Sequence, residues 1–136
     1  MENKVSIMPR ETSVKYFTAL SERDLEKVIV LFADELDWFI PGNKTIAPWL
    51  GQRKTRSEVE DFFRLLWQKT EAISGVINHM ATDDNVVIIS GSFKTRMLDT
   101  GKIFDSLFFA EITVVDGLIV KYRLLEDSFG LVQALI

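Results

Sequence analysis

The clearest periodicity in the chain is helical. Val59, Phe62, Phe63, Leu66 and Trp67 follow i, i+3, i+4, i+7 and i+8, one face of an α-helix. Thr55 with Glu58, and Ser57 with Glu60, offer overlapping capping-box starts for it. Upstream, Tyr16, Phe17 and Leu20 share a helical face, and Pro9 suits the first turn of that helix. Residues 1–8 read as a loose arm. Ser21 or Asp24 caps a second helix, whose apolar face is Leu25, Val28, Ile29 and Phe32. Residues 37–40 form a short strand stopped by Pro41-Gly42, and 43–54 read as a loop carrying Trp49 and Leu50. After Gly75 the period changes to two. Strands are predicted over 76–82, 86–97, 104–115 and 118–129, with Asp83-Asp84-Asn85, Asp99-Thr100-Gly101 and Asp116-Gly117 as turns. The tail from Leu131 is a helical turn or a continuation of the last strand.

The Asp116-Gly117 hairpin carries the chemistry. A two-residue Asp-Gly loop calls for a type I′ turn. Counting outward from it pairs Val115 with Leu118, Thr113 with Val120, Glu111 with Tyr122, Phe109 with Leu124 and Leu107 with Glu126. Strand alternation places these on one face. That face is apolar apart from Thr113, Glu111, Tyr122 and Glu126, and a bulge would let Asp127 join it. Ionisable groups on an apolar face reach its rim or line a cavity. The other face would then hold Phe108, Ala110, Ile112, Val114, Ile119 and Leu125 with Lys121 and Arg123. So much apolar area predicts a homodimer through the sheet.

Helices early and strands late make an α+β domain, with helices on one side of a curved antiparallel sheet. The 136 residues are read as one domain. With 16 Lys and Arg against 20 Asp and Glu, and no basic block, nucleic acid is not an expected partner. The absence of cysteine removes thiol nucleophiles and thiolate metal sites. One histidine, His79, is too few for a histidine metal site and reads as structural. No run of about 20 apolar residues exists, so no membrane partner is expected and a cytoplasmic location is.

Several segments resemble one family. Lys15-Tyr16-Phe17-Thr18-Ala19-Leu20, Asp24-Leu25-Glu26 and Leu31-Phe32-Ala33-Asp34-Glu35 resemble the N-terminal helices of the SnoaL-like and ketosteroid isomerase-like group. Trp38 with Pro41-Gly42, Pro48-Trp49-Leu50-Gly51, Phe62-Phe63, Thr100-Gly101 and Asp116-Gly117-Leu118-Ile119 follow in the expected order. The group lies in the nuclear transport factor 2-like superfamily. The resemblance implies a cone-shaped barrel of three N-terminal helices on a curved sheet, commonly dimeric, with an apolar pocket. Tyr16 resembles the oxyanion-donating tyrosine of steroid isomerases. Their base and protonated aspartate correspond to Ile40 and Phe109, so authentic ketosteroid isomerisation is not implied. Gly91 and Phe93 stand near two positions of the limonene epoxide hydrolase set, and Asp127 near the third. Asp127 also resembles the acid/base aspartate of the SnoaL-type cyclases.

The expected site therefore has Asp127, Glu111 and Tyr16 as catalytic candidates. Tyr122, Trp38, Ile40, Trp49, Phe63, Trp67, Phe93, Phe109 and Glu126 are its candidate lining. A carboxyl in apolar surroundings holds its proton toward neutral pH, where acid/base transfer is efficient. An Asp127 standing in water at the strand end is the competing reading, and mutual satisfaction competes with a ligand role for Glu111 and Tyr122. The expected ligand is a small hydrophobic, oxygen-bearing molecule. Isomerase, cyclase or hydratase/hydrolase chemistry would need neither metal nor cofactor. A non-catalytic binding or dimerisation module is the alternative.

Overall fold

The computed structural model describes residues 4–136, with side chains from Met8 onward. Helix α1 (Lys4–Glu22) starts before Pro9, which lies inside it rather than opening it. Of the expected arm, residues 1–3 lie outside the described residues. Thr12, Ser13, Tyr16 and Ala19 form the buried face of α1. Arg23 turns the chain at φ 49°, and the Asp24 carboxylate accepts from Lys27 N at 3.2 Å to cap α2 (Leu25–Ile29).

Phe32 does not continue that helix. It opens β1 (Phe32–Ile40) by pairing in parallel with Ile119, so a tertiary pairing overrides the helical spacing. The stretch read as a loop ends in β2 (Gly51–Thr55), antiparallel to β1. Helix α3 (Arg56–Lys69) carries the Thr55/Glu58 capping box. Then come β3 (Thr70–Asp83), β4 (Val86–Met97), β5 (Ile103–Val115), β6 (Leu118–Glu126) and α4 (Ser128–Leu135). The tail is thus helical, and the fourth predicted strand stops at Glu126. The strand order is β2-β1-β6-β5-β4-β3, antiparallel except for β1 beside β6. Helices pack on one face of this curved sheet, as the α+β reading predicts.

The last hairpin has the expected turn, with Asp116 at φ 52° and Gly117 at φ 79°. Its register differs from the simple count. Val114 pairs with Ile119 but Thr113 pairs with Lys121, so Val120 is an extra residue. Beyond this β-bulge Tyr122 lies opposite Ile112, Leu124 opposite Ala110 and Glu126 opposite Phe108. Period-two alternation makes a one-residue slip decisive. Phe108, Ala110, Ile112 and Val114, expected outside, form the core side and are at most 7% exposed. Leu107 and Phe109, expected inside, are 67% and 56% exposed.

Gly91 faces inward on β4 opposite Phe108. A Cβ there would overlap the Val76 carbonyl oxygen and the Phe108 ring, so a glycine is needed.

Candidate functional site

An aromatic-walled cavity of about 700 Å³ lies between the helices and the concave sheet face. Such a volume suits a small organic molecule. Helix α1 contributes Tyr16, Phe17 and Leu20, and α3 contributes Phe62, Phe63, Leu66 and Trp67. Ile40, Trp49 and Leu50 form one wall, and Phe93, Phe104, Phe108, Tyr122, Leu124 and Glu126 come from the sheet. Leu131 of α4 also lines it. Val14, Ile73, Val76 and Ile77 line it while remaining exposed, and so mark its rim.

Among its polar lining, Tyr122 and Glu126 come from β6 and Tyr16 from α1, while Arg23, Thr70, Ser92, Lys94 and Thr95 also border it. Tyr122 and Glu126 point inward because the Val120 bulge puts them on the face of Ile112 and Phe108. Tyr16 is 1% exposed and meets Tyr122 edge-on, with ring centroids 5.5 Å apart. Tyr122 in turn stacks on Trp38 at 4.3 Å. Burial raises the pKa of both phenols, and a hydrogen bond between their hydroxyls raises Tyr16 further while favouring ionised Tyr122. The nearby Glu126 charge also raises Tyr122. Both are therefore neutral hydroxyls at physiological pH.

Glu126 is the half-buried carboxyl of this cavity. Its pKa is pushed up to about 7, first by burial and then by the negative charge of Asp127. It also borders a second recess of about 430 Å³ formed with Asp105, Ser106, Leu107, Phe109, Leu125 and Asp127. Glu126 can therefore exchange a proton near neutral pH between an apolar interior and the solvent side.

Four expected site residues stand elsewhere. Asp127 is exposed and does not line the main cavity. Strand β6 has ended, and the Asp127 carboxylate caps α4 by accepting from Gly130 N at 2.9 Å. Its own N–H donates to Ser106 Oγ at 3.0 Å. Glu111 faces outward, paired in register with Arg123, and its carboxylate lies 3.8 Å from Lys121 Nζ. The expected Glu111–Tyr122 contact is thus replaced by faces pointing apart. Phe109 is exposed on that outer surface, and its neighbour Phe108 faces the cavity. Trp38 is fully buried behind the site, where it supports Tyr122 instead of lining the space.

The structure brings together Tyr16, Ile40, Trp49, Phe63, Trp67, Phe93, Tyr122 and Glu126, all expected to line the site or act in it. Ile40 sits on the wall, and the inward positions of β5, from Phe104 to Ile112, hold no carboxylate. Arg53 donates to Glu58 O at 2.8 Å, and Arg56 pairs with Asp34. Sequence reasoning missed Arg23, whose guanidinium also lines the cavity. Among the described residues, no helix is long and apolar enough to cross a membrane, and no group of three His, Asp or Glu could hold a metal ion.

The comparisons agree with this architecture. The SnoaL-like domain model matches residues 14–122. No curated protein is significantly similar. Among solved structures, an NTF2-like protein of unknown function from Burkholderia pseudomallei K96243 is similar, with a TM-score of 0.86 and 16% identity. That match covers 94% of this chain and 97% of the other. TerC, co-crystallized with polyporic acid, has a TM-score of 0.83 at 13% identity, covering 94% and 98%. An LEH-like epoxide hydrolase of M. tuberculosis has 0.76 at 14%, covering 95% and 90%. Identities this low speak for the fold alone. With its domain match running from α1 into β6, the chain belongs to the SnoaL-like family and has the nuclear transport factor 2-like fold.

Proposed function

We propose that the cavity binds a small hydrophobic, oxygen-bearing molecule and that Glu126 exchanges a proton with it. The observation carrying this reading is a carboxyl with a pKa of about 7 in the same aromatic cavity as Tyr122, whose ionisation its charge opposes. At neutral pH Glu126 divides between acid and base forms. Tyr122 offers a hydrogen bond to a carbonyl or enolate oxygen, and Tyr16 supports it from behind. This suits proton transfer next to a carbonyl, where one group takes the proton and another steadies the developing oxyanion. TerC, which shares the fold, was co-crystallized with polyporic acid.

Deuterium exchange at the α-carbon of 2-tetralone in D₂O, followed by NMR, tests this. The native protein should accelerate exchange about 10²-fold, with a pH midpoint near 7. Glu126→Gln should abolish the acceleration while 2-tetralone still quenches tryptophan fluorescence. Equal exchange by the variant would overturn the role of Glu126. Binding without exchange by either protein would favour a binding module, a reading supported by Glu126 being the cavity's one carboxylate among the described residues.

We also propose a homodimer across the outer sheet face. Ile88, Leu107, Phe109 and Leu125 are 44–67% exposed there, and these apolar side chains come from neighbouring strands. Sedimentation at micromolar concentration should give a dimer, and Leu107→Glu with Phe109→Glu a monomer.

A further inference from the structure

Arg23 has no part in the reading above. It follows α1, and its guanidinium lines the cavity beside Trp67 and Thr70. Nη1 donates to Thr70 O at 2.8 Å, and Nη2 to Thr70 Oγ1 at 3.1 Å. Its Cζ lies 5.7 Å from the Trp67 ring centroid. These contacts fix the fork against β3 and α3 while engaging two of its five N–H donors.

Charge is the unusual feature. Among the described residues no carboxylate lies within 4.0 Å of this guanidinium. Burial lowers the Arg23 pKa from its ordinary value, and Glu71 opposes this only from farther away while pairing with Arg96 at 3.3 Å. In the β3–β4 register it stands opposite Arg96, whereas Thr70 stands opposite the buried Met97, so Glu71 belongs to the outer face. A half-buried cation on an aromatic wall without a carboxylate partner favours an anion. A planar fork with donors to spare matches a carboxylate, and in an apolar cavity a single charge costs less to desolvate than a phosphate.

We propose that the cavity's occupant is an amphipathic acid, with its apolar body against the aromatic walls and its carboxylate on Arg23. This deepens the proposed function and rests on its reading of the cavity as a small-molecule site. A ligand bearing both a carboxylate and a second oxygen function would use Arg23 for one and the Tyr122–Glu126 pair for the other.

The test compares 2-naphthoate with 2-naphthamide, which share a ring system and differ in charge. Tryptophan fluorescence reads binding at pH 6 and about 50 mM salt, where Glu126 is mostly protonated and the naphthoate is ionised. Naphthoate should bind at least ~10-fold more tightly, and Arg23→Gln should remove that advantage with naphthamide changed less than ~2-fold. Arg23→Lys should keep part of it. Should Arg23→Gln not fold, the Arg23 Nε–H resonance of the native protein must shift with naphthoate and not with naphthamide. Equal affinities, or an advantage that survives in Arg23→Gln, would overturn the acid assignment and leave the cavity reading standing. Binding of neither compound would overturn both.

Discussion

The two faces of the β5–β6 hairpin share a backbone and lead opposite lives. Inward, Phe108, Ala110, Ile112 and Tyr122 pack in the core, and Phe108 and Tyr122 line the cavity. Outward, Leu107, Phe109, Glu111 and Leu125 are exposed or half-buried. Composition hardly separates them, since each face has phenylalanine, aliphatic residues and one glutamate. What separates Glu111 from Glu126 is the Val120 bulge. One carboxylate meets a surface lysine at 3.8 Å, and the other meets an apolar interior that raises its pKa to about 7. Chemistry here is conferred by register rather than by residue type.

The sharpest way to break that contrast is to truncate adjacent phenylalanines. Phe108→Ala should cost about 3–5 kcal/mol by chemical denaturation, because the cavity left behind adds to the lost burial. Phe109→Ala should stay within about 1 kcal/mol in a monomeric background. Similar costs for both would mean that the assigned faces are wrong.

The inward glutamate should show itself next, in the pH dependence of stability. Glu126 has a folded pKa near 7, raised above the ordinary 4.5. Between those values the folded state holds more protons than the unfolded one, so stability falls as pH rises from about 4.5 to 7. The loss should reach about 1–3 kcal/mol, since a half-buried group retains some solvation. Glu126→Gln should flatten that slope and stabilise the protein at pH 8.

Asp127 gives the smallest effect. Asp127→Ala should cost about 1 kcal/mol through loss of the α4 cap, while Asp127→Asn keeps the cap and costs little. The asparagine should also move the Glu126 titration downward, since the Asp127 charge helps to raise it. Carbon-detected NMR of the Glu126 carboxyl would read this.

Much of this was legible from residues alone. The α3 stripe with its Thr55/Glu58 box, the Asp-Gly turn and the bounds of β4 follow from local rules, because neighbours in sequence make those contacts. Tyr16, Trp49 and Glu126 were legible as members of a pocket. The face assignment was not, because a bulge depends on how the whole ladder pairs, and nothing in Leu118-Ile119-Val120-Lys121 marks it. Asp127 was misread for a related reason. Whether a carboxylate at a strand end turns inward or caps the next helix depends on where that helix starts, and the tail left both conformations open. Arg23 gave no signal, since its partners Trp67 and Thr70 come from distant segments.

The parallel pairing of β1 with β6 has a consequence for folding order. Trp38 pairs with Tyr122, so the cavity's polar end is built from opposite ends of the chain. Local hairpins and helices can form early, but such distant contacts must first offset the entropy of closing a long loop. On a ribosome, helices α1 and α3 would emerge while their aromatic faces still lacked the strand that brings Tyr122 and Glu126. The site is thus among the last parts to be assembled, and it comes into being with the native state as a whole.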